Sequence, residues 1–135
     1  MPQTARDAAL EVSRALPNGA ATVTSTALQA KNDVAKDFAA DTEHEISAPA
    51  VTTGMLGDAA TLKYSVVEGN AADLSDATVL AADVLVQTGA AGAGAAAATK
   101  RFRLPSTVKK YVGLRAVKSA AGDATSVSAV MRFLF

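Results

Sequence analysis

Apolar and polar positions alternate with period 2 in the clearest stretches of the chain, the period of a strand with one face buried. From Thr61 to Glu68, residues Leu62, Tyr64 and Val66 fall on one face and Thr61, Lys63 and Ser65 on the other, and Gly69-Asn70 ends the run. Tyr111 to Lys118 places Val112, Leu114 and Ala116 together, ahead of the turn cluster Ala120-Ala121-Gly122-Asp123. Ser126 to Phe135 aligns Val127, Ala129, Met131, Phe133 and Phe135. These three segments are predicted strands. Four shorter ones follow on composition and punctuation: Ala21–Thr26, rich in Thr and Val; Glu43–Ala48, stopped by Pro49; Val79–Thr88, with Val84 and Val86 in alternation; and Lys100–Leu104, closed by Pro105. Asp7–Leu16 supports two readings, a helix through Ala8, Ala9, Val12 and Leu16 or a strand in which Leu10 and Val12 alternate with Glu11 and Ser13. Asn18-Gly19 before a Thr/Val run is a hairpin signal and favours the strand.

Alanine supplies 32 of the 135 residues, which in isolation argues for helix. Most of these alanines sit beside Gly, Thr, Asp or Ser, and no window carries a sustained helical stripe of larger residues. They read instead as loop filler and as small side chains on sheet faces. The expected architecture is therefore all-β: one β-sandwich of the jelly-roll type, with seven or eight antiparallel strands, over residues 1–135. The length is that of one domain, with residues 1–6 as a flexible N-terminal arm. The N-terminus has no apolar run of the signal-peptide kind, and no stretch approaches the roughly 20 apolar residues of a spanning helix, so neither a leader nor a membrane partner is expected.

Charge narrows the function classes. Thirteen basic residues balance 13 acidic ones, which argues against a nucleic-acid partner, because binding phosphates takes a cationic surplus. With no cysteine, thiolate metal sites, disulfides and cysteine nucleophiles are excluded, and the single histidine, His44, is the only imidazole base available. Glu43-His44-Glu45 is the most tempting constellation. On a strand its two carboxylates share one face and the imidazole takes the other, so a solvated strand edge is expected and a zinc site is not. Asp73 and Asp76 supply oxygen ligands, but the spaced acidic loop of a calcium site is missing, and a surface turn is expected. Gly89 to Gly94 resembles a phosphate loop only in its glycines, since Lys100 comes six residues after Gly94 and opens no helix; a mobile connection between strands is the expectation. No serine lies in a nucleophile elbow. No catalytic residue, metal or cofactor is assigned, and no enzymatic activity is expected.

One asymmetry remains. Lys100, Arg101, Arg103, Lys109, Lys110, Arg115, Lys118 and Arg132 lie in the last third of the chain against the single acid Asp123 there. Solvated outer strand faces are the plainer reading. The alternative is a basic patch that meets an acidic surface, including one on a neighbouring copy.

The same third carries a resemblance. Leu104-Pro105, then Tyr111-Val112-Gly113-Leu114-Arg115-Ala116-Val117, then Gly122-Asp123-Ala124-Thr125-Ser126-Val127-Ser128-Ala129 resembles the end of the small capsid cement (decoration) proteins of tailed bacteriophages. Asp7-Ala8-Ala9-Leu10 before a Thr/Ser/Ala strand is similar too. Where that family often has Asp-Leu-Gly, this chain has Ala27-Leu28-Gln29-Ala30-Lys31. The resemblance implies a jelly roll that trimerises on the outer surface of an icosahedral head and ties major capsid proteins together. Its expected partners are the major capsid protein and its own copies, and its location is the virion exterior. Candidate interface residues are Arg101 and Arg103 first, because interfaces favour arginine, then Lys109, Lys110 and Arg6 in the arm. Other readings are a head–tail joining, tail or receptor-binding part of a virion, and, less favoured with zero Trp and two Tyr, a carbohydrate-binding module.

Overall fold

The structure, a computed structural model, describes residues 11–30, 43–105 and 107–134. Among them the chain forms nine strands and no helix: β1 (Glu11–Ala15), β2 (Thr22–Thr24), β3 (Leu28–Gln29), β4 (Glu43–Ala48), β5 (Thr61–Gly69), β6 (Thr78–Thr88), β7 (Ala98–Arg103), β8 (Tyr111–Lys118) and β9 (Ser128–Leu134). All pairs are antiparallel. One sheet runs β1-β9-β4-β7 and the other β2-β8-β5-β6, with β3 also paired to β8. Both β2 and β3 run along β8, opposite Arg115–Val117 and Tyr111–Val112, so they act as one interrupted strand. Counted so, eight strands cross from sheet to sheet at every connection except the β5–β6 hairpin, which is the jelly-roll order. The expected fold is the observed one.

Period-2 alternation builds the interior. Leu62, Tyr64 and Val66 of β5 face Val112, Leu114 and Ala116 of β8 in the same sheet, and Val12, Ile46, Ala129, Met131 and Phe133 close the core from the other sheet. Tyr64, Leu62, Leu114, Ile46 and Met131 have no exposed surface. Fully burying a side chain of this size contributes about 1.5–3 kcal/mol, which lets a few large residues carry an interior otherwise rich in alanine.

The β1–β2 connection departs from expectation. Asp7 to Leu10 lie outside the described residues, and Glu11–Ala15 is a strand, but it is not half of a hairpin. β1 pairs with β9 and β2 with β8, in opposite sheets. A type I′ turn needs positive φ at both central residues, and here only Gly19 has it, at 77°. The Pro17-Asn18-Gly19 corner leans instead on the turn before β9: the Gly19 amide donates to the Gly122 carbonyl (2.9 Å) and the Ala124 amide to the Pro17 carbonyl (3.2 Å).

The β5–β6 hairpin is irregular. Its register slips twice between Tyr64 and Val67, and Asp83 sits in the left-handed region at φ 51°. As a result Leu85 and Gln87 lie opposite the inward Tyr64 and Leu62, while Val86 lies opposite Lys63 on the outside. The loop after β5 folds back over the outer face of its own sheet, where Leu74 packs on Val67 beside Gly113. A Cβ on Gly113 would lie 2.4 Å from Leu74 Cδ1.

Candidate functional site

The outer face of the four-stranded sheet carries a row of alternating charge, one residue from each strand. Register aligns Glu11, Arg132, Glu45 and Arg101 across β1, β9, β4 and β7. Arg132 Nε lies 3.8 Å from Glu11 and 3.9 Å from Glu45, and Arg101 Nε lies 3.3 Å from Glu45. Arg101 also reaches Glu43 at 3.9 Å, and the Ser47 hydroxyl donates to Glu45 at 3.3 Å. Cross-strand pairs of opposite charge each contribute a few tenths of a kcal/mol, so the row reinforces the sheet it covers. Arg101, a candidate interface residue, is engaged in this row yet 62% exposed in its side chain. Arg103 points the same way, exposed, opposite Glu43 on the edge strand β7.

Glu43 and Glu45 therefore lie outward as expected, but His44 does not lie at a solvated edge. β4 is an interior strand of its sheet, between β9 and β7, and His44 is fully buried. Its ring stacks on Phe102 (centroids 5.6 Å apart) and meets Phe133 edge-on at 4.3 Å. The imidazole is an aromatic element of the core.

The other candidates fall elsewhere. Lys109 and Lys110 follow the crossing from β7 to β8 at one end of the sandwich. The Lys109 amide donates to Glu68 Oε2 (2.9 Å), and the Lys110 ammonium lies 5.5 Å from the Tyr111 ring centroid, within cation–π range. Arg6 lies outside the described residues. Lys118 leaves the basic cluster altogether. It shares the inward face of β8, is 2% exposed, and its ammonium donates to the carbonyls of Ala120 (3.1 Å) and Gly122. Burial holds its pKa below the ordinary lysine value, with Asp123 acting in the opposite direction. Arg101 and Arg103 thus share one sheet face, whereas Lys109 and Lys110 belong to the end of the sandwich and Lys118 to its interior.

The glycine-rich segment is pinned rather than loose. Val51 and Ala95 exchange two backbone hydrogen bonds of 3.0 Å, the Ala90 amide donates to Gly94 (3.1 Å), and the Gly92 amide donates to Asp58 (2.9 Å). Gly94, at φ 68°, approaches so closely that a Cβ would lie 2.0 Å from the Val51 carbonyl oxygen. Beneath the segment is a buried polar node that no motif signals. The Tyr64 hydroxyl donates to Gln87 Oε1 (2.7 Å), and Gln87 Nε2 donates to the carbonyls of Pro49 (2.8 Å) and Ala96 (2.9 Å). One amide on β6 thereby fastens both loops at that end of the sandwich. The residue pattern gave no signal for it, since the alternation of Val84 and Val86 sets Gln87 on the face opposite theirs.

Asp73 and Asp76 form a turn. Asp76 accepts from the amides of Asn70 (2.9 Å) and Ala71 (3.1 Å), and Asp73 from that of Ser75 (3.0 Å). These bonds hold both carboxyls below the usual carboxylate range. Among the described residues no three His, Asp or Glu side chains converge as a cation site. A scan against known protein families finds no matching family, and no curated protein matches the chain.

Proposed function

We propose that this protein is a structural component of a tailed-phage virion, a decoration protein that binds the outer surface of the head as a homotrimer and ties neighbouring major capsid proteins together. The observation that carries the reading is the strand order. An eight-stranded jelly roll is the fold that the resemblance in Leu104–Ala129 implies, and it is reached here from alternation and register alone. The disposition of ionisable groups supports a binding role over a chemical one. Asp73, Asp76 and Asp123 accept hydrogen bonds in turns, Glu11, Glu45, Arg101 and Arg132 pair within a sheet, and His44 fills core. Contacts that are individually weak hold a shell together when symmetry repeats them.

The test uses heads of the tailed phage that carries this reading frame. Purified chain is expected to sediment at about three times its 13.6 kDa and to bind stripped heads at regularly repeated surface positions. Arg103→Glu is expected to lower occupancy while leaving the circular dichroism spectrum unchanged. Arg101 is the poorer probe, because reversing it sets a third carboxylate beside Glu43 and Glu45. A ring of six or twelve copies at a single vertex would make the protein a joining or tail part, and absence from the particle would end the virion reading.

A further inference from the structure

We infer that the outer face of the five-stranded sheet is a docking surface for a different polypeptide, one that presents a carboxylate between apolar side chains. The two outward faces of the sandwich have opposite characters. On the four-stranded sheet, Glu11, Arg132, Glu45 and Arg101 compensate one another. On the five-stranded sheet, register sets Thr22, Val117, Lys63 and Val86 in one row across β2, β8, β5 and β6, with Thr24, Arg115 and Ser65 in the row beside it.

Three observations make this face unfinished. The exposed large hydrophobic residues among the described residues all belong to its strands and point outward: Val79 at 48%, Val86 at 43% and Val117 at 36%. Threonine and valine dominate the face, and such short β-branched side chains leave it low enough for a second surface to approach closely. At its centre is Arg115, whose Nε is buried with no hydrogen-bond partner among the described residues. Lys63 beside it already has Asp83, 3.9 Å away. Among the described residues Arg115 is thus the charge on this face without an ion-pair partner, and a half-buried guanidinium between Thr24 and Ser65 is strongly favoured by a carboxylate placed against it.

Charge also decides which occupant fits. The same face of a second copy adds another Arg115 and, among the described residues, offers only Asp83, which Lys63 already engages, so like charge opposes that association. The four-stranded face of a second copy offers carboxylates that Arg101 and Arg132 already engage. A partner with its own unpaired acid flanked by apolar residues satisfies both requirements. A face of this chemistry would serve any such partner, inside or outside a virion.

The test is a titration of ¹⁵N-labelled protein with an extended peptide of alternating valine and glutamate, beside its glutamine counterpart. The glutamate peptide is expected to shift the amides of Lys63, Val86, Arg115 and Val117, with at least tenfold weaker binding for the glutamine peptide and for Arg115→Gln. Arg115→Lys keeps the charge and should retain most of the binding, and Arg101→Gln should bind as the parent does. The dispersion of each variant's spectrum shows that it is folded. Equal binding of the two peptides, shifts confined to the four-stranded face or the loops, or no binding would overturn the inference. So would self-association that Val86→Thr and Val117→Thr abolish, which would make the occupant a second copy.

Discussion

Tyr64 and Gln87 show how one polar pair stabilises an apolar interior. Truncating Gln87 to alanine leaves the Tyr64 hydroxyl and the carbonyls of Pro49 and Ala96 without their partner, at a cost of about 2–3 kcal/mol. The expected outcome is a fall in Tm on the order of 10 °C, read by circular dichroism. Tyr64 also gives the fold an alkaline limit. Burial pushes its pKa far above the ordinary 10.0, so below pH 10 both native and unfolded chains hold the phenol proton and its contribution is fully present. Above pH 10 the unfolded chain loses that proton and the native one keeps it, so stability declines as pH rises. Lys118, with its lowered pKa, acts with the opposite sign and on the other side of that point: below its ordinary 10.5 the unfolded chain still holds a proton that the native one gives up, so stability rises with pH there. Subtracting the stability–pH curve of Tyr64→Phe from that of the parent isolates the tyrosine, and parallel curves would refute its role. His44 was more legible than the expectation allowed: the alternation that set it opposite the two glutamates also aligned it with Ile46 and Ala48, which are buried. Gln87 was not legible, because its inward position depends on a register slip at Asp83 that no residue pattern reports.

Among the elements, the strands were legible and their connections were not. Glu43–Ala48 and Tyr111–Lys118 have the ends that alternation and punctuation give them, whereas β3, only two residues long, carries no periodic signal. Asn18-Gly19 identified a corner but not the sheet that the chain enters next. The segment around Gly94 was misjudged because glycine and alanine composition does not reveal docking by backbone hydrogen bonds. Two substitutions separate the roles of its glycines. Gly92→Ala, at φ 66° in open space, is expected to cost about 1 kcal/mol of backbone strain. Gly94→Ala adds a collision with the Val51 carbonyl and should cost several times more, measured by urea unfolding. Equal effects would mean that the segment is not held against Val51. The charged row gives an element-scale prediction of its own. Glu45→Gln removes the shared partner of Arg101 and Arg132, lowering stability by about 1 kcal/mol in dilute buffer and by less in 1 M salt, where such pairs are screened. A loss independent of salt would assign the effect to packing.

At the scale of the molecule, the two sheets close one core but present unlike exteriors, one with its charges compensated and one bearing valines and Arg115. Alternation says which side chains face out, but not which strands lie side by side. That is why the candidate arginines on β7 were visible in the sequence, while the row through Val117, Lys63 and Val86 emerges only from the pairing of strands distant in sequence. The same pairing governs assembly of the fold itself. β1 is completed by β9, so Glu11–Ala15 waits for residues more than a hundred positions downstream. Long-range pairing of this kind makes two-state β proteins fold in milliseconds to seconds. On a ribosome, the first of these strands must remain without its neighbour until Ser128–Leu134 has been made. A nascent chain halted before Ser128 would hold β1 with no partner and the β9 side of β4 bare, two strand margins open to capture by a chaperone or by another halted copy.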